Sequence, residues 1–178
     1  MESFDAKNRS ERELLQQLKN GHPQAWQILT EVYGARIYNY LRNRLPGPED
    51  IEDVLGETMV AAVRAIPNFD GNVTLITFLI SLANRKVVDY WRRNPKTTEL
   101  SETFMGAGVS SDGLEFQELL QQLRPAHLQV LLMRYHVGLG VDEIAEALGQ
   151  SYKSTESLLS RARQELRRLL DGSELDDV

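Results

Sequence analysis

The sequence contains no cysteine, which excludes a disulfide framework and any thiolate metal site and suits a reducing compartment. Nowhere does it hold a run of about 18 apolar residues, so no membrane-spanning helix is expected. The amino terminus, MESFDAKNRSERELL, mixes acids with bases around no apolar segment, which is not the pattern of a signal peptide; a cytoplasmic protein is expected. Positive charge is in short supply: Lys and Arg number 20 against 26 Asp and Glu, a net charge of -6. Such a balance opposes unaided approach to a polyanion. The histidines His22, His127 and His136 share no ligand spacing with one another or with acid clusters, so no metal is expected. A glycine-rich phosphate loop and a nucleophile elbow are both missing, so the chain should hold no cofactor and should not be an enzyme. Clean two-residue alternation of apolar and polar positions is also missing, and the fold class expected is all-α.

What is present is helical periodicity along almost all of the 178 residues, with 42% hydrophobic content, ample for one or two small cores. The most informative stretch is 141–170, VDEIAEALGQSYKSTESLLSRARQELRRLL. Ile144, Ala145 and Leu148 fall at helical spacing, and Gly149 follows where a left-handed cap residue is wanted. Ser151 can cap a second helix whose apolar stripe is Thr155, Leu159, Ala162, Leu166 and Leu169. Its opposite face carries Lys153, Ser157, Ser160, Arg161, Gln164 and Arg168. Two short helices about a tight turn, the second long and basic, make a helix-turn-helix whose second helix fits a DNA major groove. From pattern alone, a helical hairpin with a solvated basic face is the equal alternative.

Upstream, Ser10 with Glu13 makes a capping box for a first helix that stops at Asn20 and Gly21. Pro23 opens a second, which continues to Leu41 before the break at Pro46, Gly47 and Pro48. The third, about 49–66, turns Ile51, Leu55, Thr58, Ala62 and Ala65 to a core and places Asp53, Glu57, Val60 and Arg64 on another face. Asp53 and Glu57 thus offer two carboxylates, four residues apart, to a partner; the alternative for Asp53 is simple compensation of the helix dipole. A loop, 68–73, leads to the fourth helix, about 74–93. That helix is apolar nearly all round in its first half, then carries Arg85, Lys86, Asp89, Arg92 and Arg93 opposite Val87, Val88 and Trp91. Residues 94–113 lose periodicity and fill with Pro, Thr, Ser, Gly and acids, so a flexible linker is expected there. The expected organisation is a first domain over 1–93, a linker over 94–113, a second domain over 114–170 and an acidic tail over 171–178.

Over residues 14–170 this order of parts resembles the small two-domain bacterial sigma factors of the extracytoplasmic-function (ECF) group. The family pattern D-x-x-Q-E-T-F is matched by Asp53, Val54, Leu55, Gly56, Glu57, Thr58 and Met59. Its F-D loop is matched by Phe69 and Asp70. The F-x-x-W-L helix ending D-x-x-R-R corresponds to Leu75, Ile76, Thr77, Phe78 and Leu79, then Asp89 to Arg93. In the second half, Met133, Arg134, Tyr135, Gly138, Leu139, Glu143, Ile144, Ala145, Leu148 and Gly149, followed by Ser160 to Arg163, match L-R-Y-x-x-G-L-x-x-x-E-I-A-x-x-L-G and S-R-A-R. The chain departs from the pattern at Gly56 for Gln, Phe78 for Trp and Gly140 for a frequent Ser cap. Its recognition helix has Thr155, Glu156, Ser157 and Leu158 where V-K-S-R is common.

The resemblance implies a sigma region 2 domain and a region 4 domain, and a protein that binds core RNA polymerase and directs promoter recognition, melting and transcription initiation. It implies that Asp53 and Glu57 meet the polymerase clamp. It places the minus-ten promoter element against Asn68, Asn72, Thr74, Arg85, Lys86, Arg92 and Arg93. The minus-thirty-five element would meet Lys153, Ser154, Glu156, Ser157, Ser160, Arg161 and Arg163. An anti-sigma factor is a further possible partner. Phe69 and Trp91 are expected in the core rather than on bases. The competing readings are a self-sufficient dimeric helix-turn-helix regulator and a helical adaptor that binds only protein.

Overall fold

A computed structural model describes residues 2–94 and 119–173, with side chains over 10–94 and 119–171. Most of the linker expected over 94–113, the start of the second domain expected at 114 and the end of the tail lie outside the described residues. Within them the chain is helical and forms no strand.

Helix α1, Glu2–Lys19, begins eight residues before the expected box at Ser10, which is instead an exposed position within the helix. Ser10 fails as a cap because the helix continues through it. Gly21, at φ 74°, ends the segment in the left-handed region where a side chain would be strained. Pro23 occupies the first turn of α2, Pro23–Ile28, where its missing N–H is no loss. The helix expected to run unbroken to Leu41 contains a π-helical segment, Leu29–Tyr33, before α3, Gly34–Leu41. The hydroxyl of Thr30 donates to the carbonyls of Trp26 and Gln27 there, and such hydroxyl bonds compete with the regular ladder.

Helix α4, Pro48–Ala65, again starts on a proline and turns Ile51, Val54, Thr58 and Ala62 inward. Its buried Thr58 hydroxyl donates to the Val54 carbonyl at 2.7 Å, so no polar atom is stranded. A 3-10 turn, Ile66–Asn68, leads to α5, Leu75–Arg93, for which Thr74 is the cap. Leu75, Ile76, Thr77, Leu79, Ile80 and Ala83 are all buried, as an apolar circumference predicts. Phe69 stacks on Phe78 with ring centroids 4.2 Å apart, which closes the core under the loop and removes Phe69 from any role in stacking on a base. Trp91 is half-buried, with its indole N–H donating to the Arg44 carbonyl at 3.3 Å, and Tyr90 meets it edge-on. Burial and a hydrogen bond to Asp50 push the Tyr90 phenol up to about 12, which ties the end of α5 to the start of α4. Val88, expected on the apolar face, is 57% exposed: the helix turns its neighbour Val87 inward instead.

The second half comprises α6, Pro125–Leu131, a π-helical segment, Leu132–Val137, α7, Val141–Leu148, and α8, Tyr152–Ser173. Gly138, at φ 86°, reverses the chain after the π segment. Helix α8 packs on α6 and α7 through Thr155, Leu159 and Ala162, and Leu166 and Leu169 lie partly buried behind them. The two halves are not separated by solvent. Helix α5 packs on α7, and α3 packs on the π segment that precedes α7, so the buried residues form one continuous cluster.

Candidate nucleic-acid interface

The turn between α7 and α8 is built as its residues require. Gly149 adopts φ 63°, its N–H donating to the Glu146 carbonyl, and the hydroxyl of Ser151 accepts from the Ser154 N–H at 3.2 Å to cap α8. At the other end of α7 the cap is Gly140, whose N–H donates to Glu143 Oε2 at 2.8 Å. A glycine can offer only this half of a capping box, because the other half needs a side-chain oxygen.

Burial of one stripe decides what α8 presents. Thr155, Leu159 and Ala162 are buried, while Lys153, Ser154, Glu156, Ser157, Ser160, Arg161 and Arg163 are all exposed. All the residues expected to meet the minus-thirty-five element therefore lie outside the core. Arg161 folds back toward the Ser157 carbonyl at 3.4 Å, and no acid is paired with it among the described residues. The hydroxyl of Thr155 is buried and has no hydrogen-bond partner. Behind the face, Glu165 holds the helix to α6, since it pairs with the His127 ring and, at 3.6 Å, with Arg124.

The residues expected at the minus-ten element are placed differently. Asn68 and Asn72 are exposed, but Asn72 is held by its neighbour: its amide N–H and its side chain both donate to Asp70, at 3.0 and 2.5 Å. Gly71, at φ 78°, makes that turn, with Leu15 of α1 packed 3.3 Å from where its Cβ would stand. Thr74 Oγ1 lies 2.7 Å from the Thr77 hydroxyl and accepts from the Thr77 N–H at 3.4 Å. Arg85 is exposed. Arg92 pairs with Asp89 at 3.0 Å.

Lys86 and Arg93 converge on Glu57, at 3.2 and 3.1 Å. The sequence assigned Glu57 to one partner and the two cations to another, whereas the fold joins all three across α4 and α5. Burial would raise the Glu57 carboxyl, but hydrogen bonds from Lys86 and Arg93 outweigh it and hold the group below its usual range. Asp53, one turn earlier, is exposed. Two further carboxylates were not among the expected site residues, Glu143 having entered only as a motif position. Glu11 of α1 accepts from the Leu75 N–H at the start of α5, and Glu143 of α7 accepts from the hydroxyls of Thr74 and Thr77 at 2.7 and 2.9 Å. Both contacts join residues more than sixty positions apart, so no local pattern signals them.

Among the described residues no group of His, Cys, Asp and Glu could hold a metal ion, and no helix is long and apolar enough to cross a membrane. The chain matches the family models for Sigma-70 region 2 over residues 29–97 and Sigma-70 region 4 over residues 113–166. It is 31% identical over 167 residues to the RNA polymerase sigma factor YlaC of Bacillus subtilis, covering 85% of this chain and 95% of that protein. The ECF RNA polymerase sigma factor SigW of the same species is 24% identical over 176 residues, covering 88% and 94% of the two chains. CnrH of Cupriavidus metallidurans, also an RNA polymerase sigma factor, is 27% identical over 182 residues, covering 92% and 95%. A solved structure of CnrH in complex with the cytosolic domain of CnrY superposes with a TM-score of 0.73 at 25% identity, covering 91% of this chain and 97% of that one. With a region 2 unit, a region 4 unit and full-length relatives of one kind, the chain belongs to the ECF group of RNA polymerase sigma factors: a non-enzymatic subunit that directs promoter-specific transcription initiation.

Proposed function

We propose that the three faces divide the work of initiation as follows. The α4 face with Asp53 and Glu57 docks on the core polymerase. The loop 68–73, the start of α5 at Thr74 and the cations Arg85, Lys86, Arg92 and Arg93 take the minus-ten element. Opened DNA offers unstacked bases and phosphates, for which short polar side chains beside cationic ones are suitable partners. The exposed face of α8 takes the minus-thirty-five element in the major groove: Lys153, Arg161 and Arg163 at phosphates, with Ser154, Ser157 and Ser160 hydrogen-bonding beside them. Glu156 stands near the amino end of α8, where a carboxylate can accept from the exocyclic amine of cytosine.

The observation that carries this reading is that α8 leaves all seven of these side chains exposed while it buries the opposite stripe. The functional domains are 1–93 and 114–170, linked by 94–113. The protein acts in the cytoplasm, where the polymerase is, and a regulatory protein partner of anti-sigma type is inferred from the CnrH complex with a cytosolic domain. Because the chain carries a net charge of -6, promoter DNA should be held weakly by the free protein and tightly by its complex with core polymerase. Run-off transcription on genomic fragments with core enzyme tests this. Core-dependent initiation at defined start sites is expected; tight, specific binding of one duplex at physiological salt by the isolated protein, with no gain on adding core, would overturn it.

A further inference from the structure

The start of α5 is an electropositive helix end bearing two hydroxyls, and it is already occupied from two sides by the protein's own carboxylates. Glu11 reaches it from α1 and accepts from the Leu75 N–H. Glu143 reaches it from α7, its Oε1 accepting from Thr74 and Thr77 while its Oε2 accepts from the Gly140 N–H. One side chain thus caps its own helix and binds the start of another. Thr77 is 1% exposed beneath this contact.

Other bonds of the same seam lie well away from it. The Arg36 guanidinium donates to the Val137 carbonyl at 2.8 Å, and the Gln129 side-chain amide donates to Asn84 at 2.5 Å. The Val137 carbonyl belongs to the π segment, which packs on α3. The seam therefore joins α3 and α5 of the first half to α6, the π segment and α7 of the second.

We propose that this seam is a self-occluding latch, in which Glu143 sits on the minus-ten reading end of α5 in place of the promoter strand and keeps the free protein closed. The proposal rests on the assignment of Thr74 to the minus-ten element made above. A helix amino terminus favours an anion whether it is a carboxylate or a phosphate. A hydroxyl proton donated to Glu143 is not available to a base edge or a phosphate oxygen at the same time. Glu143 and the strand thus exclude one another at Thr74, and separation of α7 from α5 exposes the site. Glu11 belongs to the first half and stays, so α5 keeps one cap in the open form. Any partner that binds only the open form, core polymerase above all, shifts the population toward it.

The lack of native cysteine allows the closed state to be measured directly. Spin labels at Gln24→Cys and Glu146→Cys, both exposed positions on opposite sides of the seam, report the distance between the halves in the full chain by pulsed electron paramagnetic resonance. A single short distance is expected, which Glu143→Ala lengthens and broadens. Glu143→Ala also removes a cap from α7, so Arg36→Ala, which breaks the seam and caps nothing, serves as the second variant. Circular dichroism establishes that each variant is folded. Binding of a single-stranded minus-ten oligonucleotide to the free protein should rise about tenfold in both, the gain expected if about nine molecules in ten are closed.

A broad distance distribution in the unsubstituted pair, or a distance that neither variant changes, overturns the latch. Open variants with no gain in oligonucleotide binding overturn occlusion while the minus-ten assignment stands, provided the unsubstituted protein with core still melts a promoter and Thr74→Ala weakens that melting. If Thr74→Ala leaves melting intact, the minus-ten assignment itself fails and the occlusion fails with it.

Discussion

The ends of α5 and α8 carry comparable sets of hydroxyl and cationic side chains, yet their surroundings are opposite. On α8, Lys153, Arg161 and Arg163 project from a face that the rest of the fold leaves bare. On α5, Thr74 is bonded to Glu143, and Lys86 and Arg93 to Glu57. A basic helix turned wholly outward can meet DNA as it stands. One whose polar groups are already satisfied must first exchange partners, so its engagement is conditional on what else binds. The difference teaches that two surfaces of similar composition can differ in readiness, and that readiness is set by neighbouring elements rather than by the helix itself.

Reversing the charge at the shared carboxylate should break this comparison most severely. Glu57→Lys places a third cation beside Lys86 and Arg93, so association with core polymerase should fall at least about tenfold while stability drops by only about 1 kcal/mol, the scale of exposed ion pairs. The swap Glu57→Lys with Lys86→Glu rebuilds a pair. It should recover stability in urea denaturation and leave core binding weak; recovery of both would mean that Glu57 matters only through its partners.

On the bare face, Arg161→Ala should weaken promoter binding across sequences and reduce the salt slope by about one unit. Stability should change by less than about 0.5 kcal/mol, since the side chain is exposed. Glu156→Lys should instead change which upstream sequence is selected from a randomised minus-thirty-five element. Identical selected sequences from the two proteins would remove Glu156 from recognition.

A smaller effect is expected beneath the same face. Thr155 buries a hydroxyl with no partner, and the family often has Val at this position. Thr155→Val keeps the shape and removes the stranded polar atom, so it should stabilise the protein by about 1 kcal/mol in thermal or urea unfolding. A loss of stability would mean that the hydroxyl is satisfied in solution.

The smallest effect is a pH dependence confined to the α5 side. The folded Glu57 carboxyl lies below its ordinary value of 4.5, so its contribution to stability is present above that value and is lost as pH falls through the lowered folded pKa. The melting-temperature difference between the unsubstituted protein and Glu57→Gln should therefore be positive at pH 6 and shrink toward pH 3. No matching trend is expected for Arg161→Gln, because no carboxylate is paired with Arg161 among the described residues.

Much of the architecture was legible because it follows from local rules. Apolar residues at helical spacing marked α4, α5 and α8, Pro23 marked the start of α2, and Gly149 with Ser151 marked the turn that exposes the α8 face; Pro48, read as part of a break, instead occupies the first turn of α4. The departures have physical causes. Ser10 satisfies a capping pattern but lies inside a helix that starts at Glu2, since one acceptable cap does not oblige a helix to begin there. The π segments at Leu29–Tyr33 and Leu132–Val137 leave no mark in the apolar spacing. Val87 and Val88 were both placed on the apolar face, but only the former is buried, because adjacent helical positions are turned about 100° apart.

The sequence alone determined the all-α class, the helix-turn-helix and its outward basic face, and the motifs that mark the family, because each depends on residues a few positions apart. Tertiary structure alone decided that Glu57 would neutralise Lys86 and Arg93, that Glu11 and Glu143 would meet the start of α5, and that the two halves would share one buried cluster. Those contacts join distant stretches of chain. A carboxylate's partner in such a contact is chosen by which helices pack together, which the carboxylate's own neighbours in sequence do not specify.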